Sequence, residues 1–330
     1  EIPLRLVGSE MCIRDRFIFM GLVLMIGVSM QSLRTIRRLA VLGFLCAFAG
    51  VVLTYVVGDA TKGAARWIKF AGFSLQPSEF IKPVFIVVTA WLLDANKRIE
   101  DFPGMTLAVG LFLLTALSVF GQPDLGMTVL ISGVWALQMV WAGIPVWLIM
   151  TLFSAGLVLV TGSYFFLAHV RDRIDRFLAS ENEIGSQIQK SMDAFANGNL
   201  LGRGPGEGYV KMTLPDVHTD FIFALAGEEC GVWLTTIIVA AFAAIVVRSM
   251  ALSMRDNNLF VMYAASGLAA SLGGQAIVNM CSALQLMPAK GMTLPFVSYG
   301  GSSMLASCLA MGMLLAITRK NAAAEDKDNG

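Results

Sequence analysis

Four places in the chain set ionisable or polar side chains beside long apolar runs. Ser78-Glu79-Phe80-Ile81-Lys82 puts a carboxylate and an ammonium three residues apart, on one face of a helix near the mouth of an apolar run. Gln122-Pro123-Asp124 interrupts two apolar runs, and Leu214-Pro215-Asp216-Val217-His218-Thr219-Asp220-Phe221 brings an acid to the first turn of another. The fourth, residues 288–303, is polar, rich in Gly and Pro, and carries Lys290, the only charge between Asn257 and Thr318. A charge in hydrocarbon costs about 3 kcal/mol or more at a helix centre, so such groups mark substrate and ion pathways by default.

Each place also has a plainer reading. Glu79 and Lys82 have the spacing of an ion pair that locks one helix to a neighbour. Asp124 fits a simple Pro-Asp turn, and Asp220 fits an N-cap or a partner of the helix dipole. Continued as an ideal helix, the chain would bring Glu228 about 80° round from Asp220, with Ala224 and Gly227 between them, a stripe that suits a cavity wall. Glu229 points elsewhere. The 288–303 stretch suits either a cavity lining or close packing through small residues.

The elements that must position these groups follow from composition. Of the 330 residues, 56% are hydrophobic and 14% charged, against about 25% charged in ordinary soluble domains. With a mean hydropathy of +0.71, this excludes a soluble enzyme. A net charge of +1 supplies no field for nucleic acid, and the cysteines beside apolar stretches suggest no disulfide framework. A span needs roughly 20 apolar residues. Such runs lie at 17–33, 39–58, 80–93, 102–120, 125–170, 221–247, 259–281 and 295–318. Residues 125–170 hold no Asp, Glu, Lys or Arg, and Gly143-Ile144-Pro145 is where they turn between two helices. The expected fold is therefore all-α, a polytopic transmembrane helical bundle of nine spans.

Residues 1–16 are set aside, because Glu10-Met11-Cys12-Ile13-Arg14-Asp15-Arg16 reads as a translated sequencing-adaptor segment, with the natural N-terminus missing. The transmembrane domain is then 17–320, followed by a cytoplasmic tail at 321–330. The segment 167–218 is a long extracytoplasmic loop carrying six Lys/Arg and seven acidic residues, with the Gly-rich run Gly202-Arg203-Gly204-Pro205-Gly206-Glu207-Gly208. With that loop left out, Lys/Arg number ten on one side and five on the other, which favours a cytoplasmic C-terminus. Loops of this length are functional or disordered. There is no phosphate loop, nucleophile elbow or zinc pattern, and His169 and His218 are the two histidines.

Four motifs in order resemble the SEDS family of bacterial division and elongation proteins, typified by FtsW and RodA. They are Gly63-Ala64-Ala65-Arg66-Trp67-Ile68 running on to Gln76-Pro77-Ser78-Glu79-Phe80-Ile81-Lys82, then Gln122-Pro123-Asp124-Leu125-Gly126, then His218-Thr219-Asp220-Phe221-Ile222-Phe223-Ala224, then Leu294-Pro295-Phe296-Val297-Ser298-Tyr299-Gly300-Gly301-Ser302-Ser303. The resemblance covers about residues 17–320, and Lys290-Gly291-Met292-Thr293 looks more like the FtsW branch than the RodA branch. It implies ten spans, of which the first would be missing here. It further implies a multi-pass protein of the bacterial cytoplasmic membrane, at the division septum, that polymerises lipid II beside a class B penicillin-binding protein and other divisome membrane proteins. On the matching motif, Asp220 is the catalytic acid.

Extending a glycan needs a sugar 4-hydroxyl to attack an anomeric carbon that carries a lipid pyrophosphate. Asp220 suits a general base for that hydroxyl. Arg66, Lys82 and Lys290 suit the pyrophosphate charge, Glu79 would orient Lys82, and a divalent cation, magnesium or manganese, would assist the leaving group. Trp67, Gln122, Asp124, His218, Ser298 and Ser302 complete the expected substrate contacts, with Trp67 equally at home as an interfacial aromatic. The long loop would close over the lipid-linked chain. A lipid II flippase would use the same charges nearer mid-span, and a non-catalytic divisome scaffold would not need Asp220.

Overall fold

The computed structural model describes residues 4–57, 59–61, 64–70, 73–122, 124–166, 171–172, 175, 184–209, 217–287 and 291–319. The uncharged runs become helices because only a helix satisfies its own backbone in hydrocarbon. In chain order they are α1 Leu4–Ser29, α2 Leu33–Val57, α3 Pro77–Arg98, α4 Gly104–Gly121, α5 Leu125–Trp141, α6 Val146–Phe166, α7 Ile184–Gly198, α8 Ile222–Ser253, α9 Leu259–Ala283 and α10 Gly301–Thr318. All but α7 follow the nine expected runs. Among the described residues six of them (α2, α4, α6, α8, α9 and α10) are long and apolar enough to cross a membrane, and α5 is a shorter apolar helix. The turn at Gly143 separates α5 from α6 where the sequence predicts it, with φ +89°. Residues 4–16 continue α1 without a break. Residues 320–330 lie outside the described residues.

Two elements depart from an all-helical reading with one open loop. Between α2 and α3 the chain makes a three-stranded antiparallel sheet, β1 Asp59–Thr61, β2 Ala64–Phe70 and β3 Phe73–Leu75, in that order. At three residues each, β1 and β3 are too short to give a period in sequence, and β2 carries Arg66 and Trp67. Within 167–218, α7 forms, with Ser191 and Ala194 buried and Ser191 donating to the Ala283 carbonyl of α9.

The chain divides into two compact units, one of Glu1–Gln138, Phe242–Gln275 and Pro295–Gly330, the other of Met139–Ala241 and Ala276–Leu294. In the first, α1 packs on α10 and α2 on α3. Small residues permit the approach: a Cβ on Gly312 would meet the Met25 carbonyl at 2.8 Å, and one on Gly21 the Cys308 sulfur at 2.8 Å. Gln138, fully buried on α5, donates to the carbonyls of Ile86 on α3 and Tyr263 on α9 at 3.0 and 3.2 Å.

At one end of this unit, Asp94 of α3 is 2% exposed and gathers cations. Arg98 donates to Asp94 Oδ1 at 2.8 Å, Arg37 of α2 stands 3.9 Å from Oδ2, and Arg98 also reaches Asn258 at 2.9 Å. The Arg37 guanidinium lies 4.2 Å over the Phe260 ring. Helix ends that the charge count assigns to one side thus meet in one cluster. Removing a buried partner from such a cluster leaves charge uncompensated. Asp94→Ala is expected to cost about 3 kcal/mol, and half-exposed Arg98→Ala no more than about 1 kcal/mol. Unfolding in mixed micelles measures both, and equal losses would show that Asp94 is not the centre of the cluster.

Candidate functional site

In the first unit, Glu79 lies in the first turn of α3, started by Pro77 at a position where no N–H is needed. Glu79 and Lys82 are 6% and 4% exposed and joined at 2.7 Å, the pairing their spacing predicts. Lys82 Nζ also donates to Gln275 Oε1 of α9 at 2.6 Å. The ammonium is therefore held from two helices, with its carboxylate partner on its own.

A second cluster in this unit joins the sheet to the α4–α5 turn. Arg66 of β2 stands 3.2 Å from Asp124 Oδ2 and donates to the Gln122 carbonyl at 3.0 Å. The other Asp124 oxygen accepts from Met127 N–H at 3.1 Å and so caps α5. Gln122 donates from its side chain to Thr54 Oγ1 of α2. Trp67 is half-buried. Ser298 and Ser302 are buried, Ser302 in the first turn of α10, and its hydroxyl has no partner among the described residues. Pro123 and Lys290 lie outside the described residues.

In the second unit, Val217, His218, Thr219 and Asp220 form a turn, and α8 starts only at Ile222. Asp220 is thus ahead of the helix, so its angular relation to Glu228 on an ideal helix does not hold. Asn279 of α9, 1% exposed, fixes this turn with both amide hydrogens: one donates to the Asp220 carbonyl at 2.9 Å, the other to the Met292 carbonyl at 2.7 Å. Gly291 passes beside the carboxylate with φ +60°, where a Cβ would lie 3.5 Å from Asp220 Oδ2. Asp220 and Thr219 are half-buried and His218 is exposed.

The same helix is interrupted about two and a half turns beyond its start at Ile222. Gly231 has φ +71° and ψ −166°, a conformation open to glycine. The carbonyls of Glu228 and Glu229, which lose their helical partners there, accept from Arg203 and Gly204 N–H at 3.0 Å each. Val232 N–H donates to the Asn199 carbonyl at 3.2 Å. The Gly-rich run thus fills the break, and glycines make the fit: a Cβ on Gly231 would stand 2.4 Å from the Leu200 carbonyl, and one on Gly202 2.3 Å from the Glu229 carbonyl. Glu228 is fully buried, with Asn197 of α7 donating to Oε1 at 3.4 Å.

Asn279 and Gln275 were not singled out from sequence, because a search for charges in apolar runs passes over amides. The signal was there: both interrupt the apolar pattern of α9. Among the described residues no three His, Cys, Asp or Glu side chains converge as a metal site would require.

A family model described as cell cycle protein, the FtsW/RodA/SpoVE family, matches residues 9–323. The chain is 43% identical over 298 residues to a protein of Caulobacter vibrioides named a probable peptidoglycan glycosyltransferase FtsW, covering 90% of this chain and 76% of that one. A protein of the same name from Geobacter metallireducens is 36% identical, over 92% of this chain and 83% of its own. Among solved structures, one described as the structural coordination of polymerization and crosslinking by a peptidoglycan synthase complex matches with TM-score 0.78 and 26% identity, covering 93% of this chain and 88% of that chain. The rod shape determining protein RodA of Thermus thermophilus matches with TM-score 0.68 and 25% identity, covering 93% of this chain and 86% of its own.

The packing of the Gly-rich run into the helix break gives a direct test. Gly206 shares the positive φ of Gly231 but faces open space. Gly231→Ala is expected to release the run and raise tryptic cleavage after exposed Arg203 by about tenfold, the effect of roughly 1.4 kcal/mol of lost docking on the open population. Gly206→Ala should leave that rate near wild type, and equal acceleration by both would show that φ strain, not docking, sets it.

Proposed function

This chain belongs to the FtsW/RodA/SpoVE family of cell cycle proteins and is a multi-pass membrane protein, and we propose that, as a peptidoglycan glycosyltransferase, it extends glycan strands from lipid II during division. The observation that carries the chemistry is the fork at Asn279. It holds the Asp220 turn to the 291–292 backbone, while Gly291 presents no side chain to the carboxylate. The fork thus sets the position of the carboxylate through its own backbone.

In the proposed reaction the 4-hydroxyl oxygen of the acceptor sugar forms a bond to the anomeric carbon of the donor. The bond from that carbon to the pyrophosphate oxygen breaks, and the lipid pyrophosphate leaves with the electron pair. The configuration inverts from α to β, and Asp220 takes the hydroxyl proton. Arg66, Lys82 and Lys290 carry the cationic charge for the pyrophosphate, Lys82 as an ammonium whose direction is set by Glu79 and Gln275. Trp67, His218, Ser298 and Ser302 complete the proposed contacts to the substrate, with Gln122 and Asp124 holding Arg66. No step is derived through a divalent cation, since Glu79 and Asp124 each bind a cation of the protein and no cage of three ligands forms among the described residues.

The proposed partner is a class B penicillin-binding protein that crosslinks the product, at the division septum, with other divisome membrane proteins around it. The likeness to a complex described as joining polymerization to crosslinking supports it.

With purified protein, its class B partner and lipid II, Asp220→Asn is expected to lower kcat at least 100-fold, the range of a lost general base. Asn279→Ala should lower kcat about tenfold with KM nearly unchanged, as a misplaced base does. Glycan polymer made by Asp220→Asn at the wild-type rate would overturn the base assignment. Head-group translocation in liposomes, with no polymer from the wild type, would overturn the polymerase reading.

A further inference from the structure

The run that fills the Gly231 break begins Asn199-Leu200-Leu201-Gly202-Arg203, and its two leucines are 68% and 81% exposed. Exposed paired leucines on a tightly docked segment need a nonaqueous neighbour. The bond from Val232 N–H to the Asn199 carbonyl sets them beside Val232 and Trp233, which are 49% and 67% exposed. Those two residues open an outward apolar face that goes on through Ile237 and Val239.

That face belongs to a helix whose two parts have different surroundings. Residues 232–253, after the break, are about 33 Å long at 1.5 Å per residue, enough alone to cross about 30 Å of hydrocarbon. The part before the break is instead enclosed by protein, with Phe223, Ala224, Leu225 and Glu228 all buried. Trp233 sits at the junction, where tryptophan concentrates at membrane surfaces. The filling segment suits such a boundary in its last residues, where the Gly202, Arg203 and Gly204 N–H groups all donate within the protein. Exposed Arg203 follows the leucines and can turn its guanidinium to lipid phosphate.

We propose that the Gly231 break lies at the membrane surface on the side of Asp220, and that Leu200 and Leu201 insert into that leaflet beside Trp233, anchoring the Gly-rich run to phospholipid. The occupant is lipid, because the exposed leucines continue the exposed apolar surface of Val232, Trp233 and Ile237 on α8. This anchor concerns the membrane and stands whether or not Asp220 is the base.

The test uses the full chain, purified without partners, in nanodiscs of phosphatidylethanolamine and phosphatidylglycerol. Benzoylphenylalanine is introduced at Leu201, at Trp233 as the lipid-facing reference, and at exposed Glu207 as the water-facing reference. After irradiation, intact mass is expected to show a one-phospholipid adduct at 201 with a yield comparable to that at 233, and none at 207. No adduct at 201 with a clear adduct at 233 would overturn the proposal, as would equal adducts at 201 and 207, which would mean that the whole run lies on lipid without insertion of the leucines. If the Leu201 variant is not monodisperse, the probe at Leu200 carries the same two outcomes.

Discussion

Hydrocarbon offers a polar group no hydrogen bond, so a buried donor, acceptor or charge here gains most from a partner supplied by the protein itself, an unmatched group costing several kcal/mol. That constraint explains more of the structure than apolar packing does, because lipid tails are as apolar as leucine and give helices little reason to associate. The buried contacts that join helices are accordingly polar or very close. Gln138 reaches carbonyls on two other helices, Lys82 reaches Gln275, and Asp94 collects Arg98 and Arg37. Where side chains are absent the backbones touch, as Gly312 does against Met25.

The same constraint governs irregular backbone. Beside the break at Gly231, the Glu228 and Glu229 carbonyls and the Val232 amide are all paired by residues 199–204. The 167–218 segment is thus tied to α8 at one place by backbone bonds, and α7 adds Asn197 and Ser191. At least its 198–204 part is a fitted piece of the structure and not a freely closing flap. The turn before α8 follows the rule too, with the Asp220 and Met292 carbonyls both satisfied by one amide of α9.

Legibility in the sequence tracks the range of the physics involved. Nine helices were readable because a span is a local property: twenty apolar residues declare it. The Glu79–Lys82 pair was readable because i and i+3 share a helix face. The sheet was not, since β1 and β3 are three residues each and their pairing is fixed by turns, not by pattern. α7 was hidden inside a charged segment, although Ile184, Ile188 and Phe195 recur at helical spacing. The break at Gly231 could not be read at all, because a glycine in an apolar helix looks the same whether it is packed or broken. Its sign is the set of glycines at 198, 202, 204 and 231, which acquire meaning only when folded together. Arg66 with Asp124 joins residues 58 apart, and no local rule predicts it.

The sequence left two readings of the charged residues side by side, a structural ion pair or a group that meets substrate, and the geometry makes them compatible. An isolated ammonium or carboxylate in a low dielectric is driven toward its neutral form. A lysine meant to meet a pyrophosphate needs a counter-charge while no substrate is bound, and Glu79 stands 2.7 Å from Lys82, one turn away. Gln275 then fixes direction without adding charge. An ammonium has three donors, and Glu79 and Gln275 take two of them, so the pair stabilises the charge without filling its hydrogen-bonding capacity. Arg66 is held likewise, by the Asp124 carboxylate and the Gln122 carbonyl. Under the proposed reaction the pairs are what allow cations to stand ready in a membrane protein, so each acid serves the site through its cation as well as the packing around it.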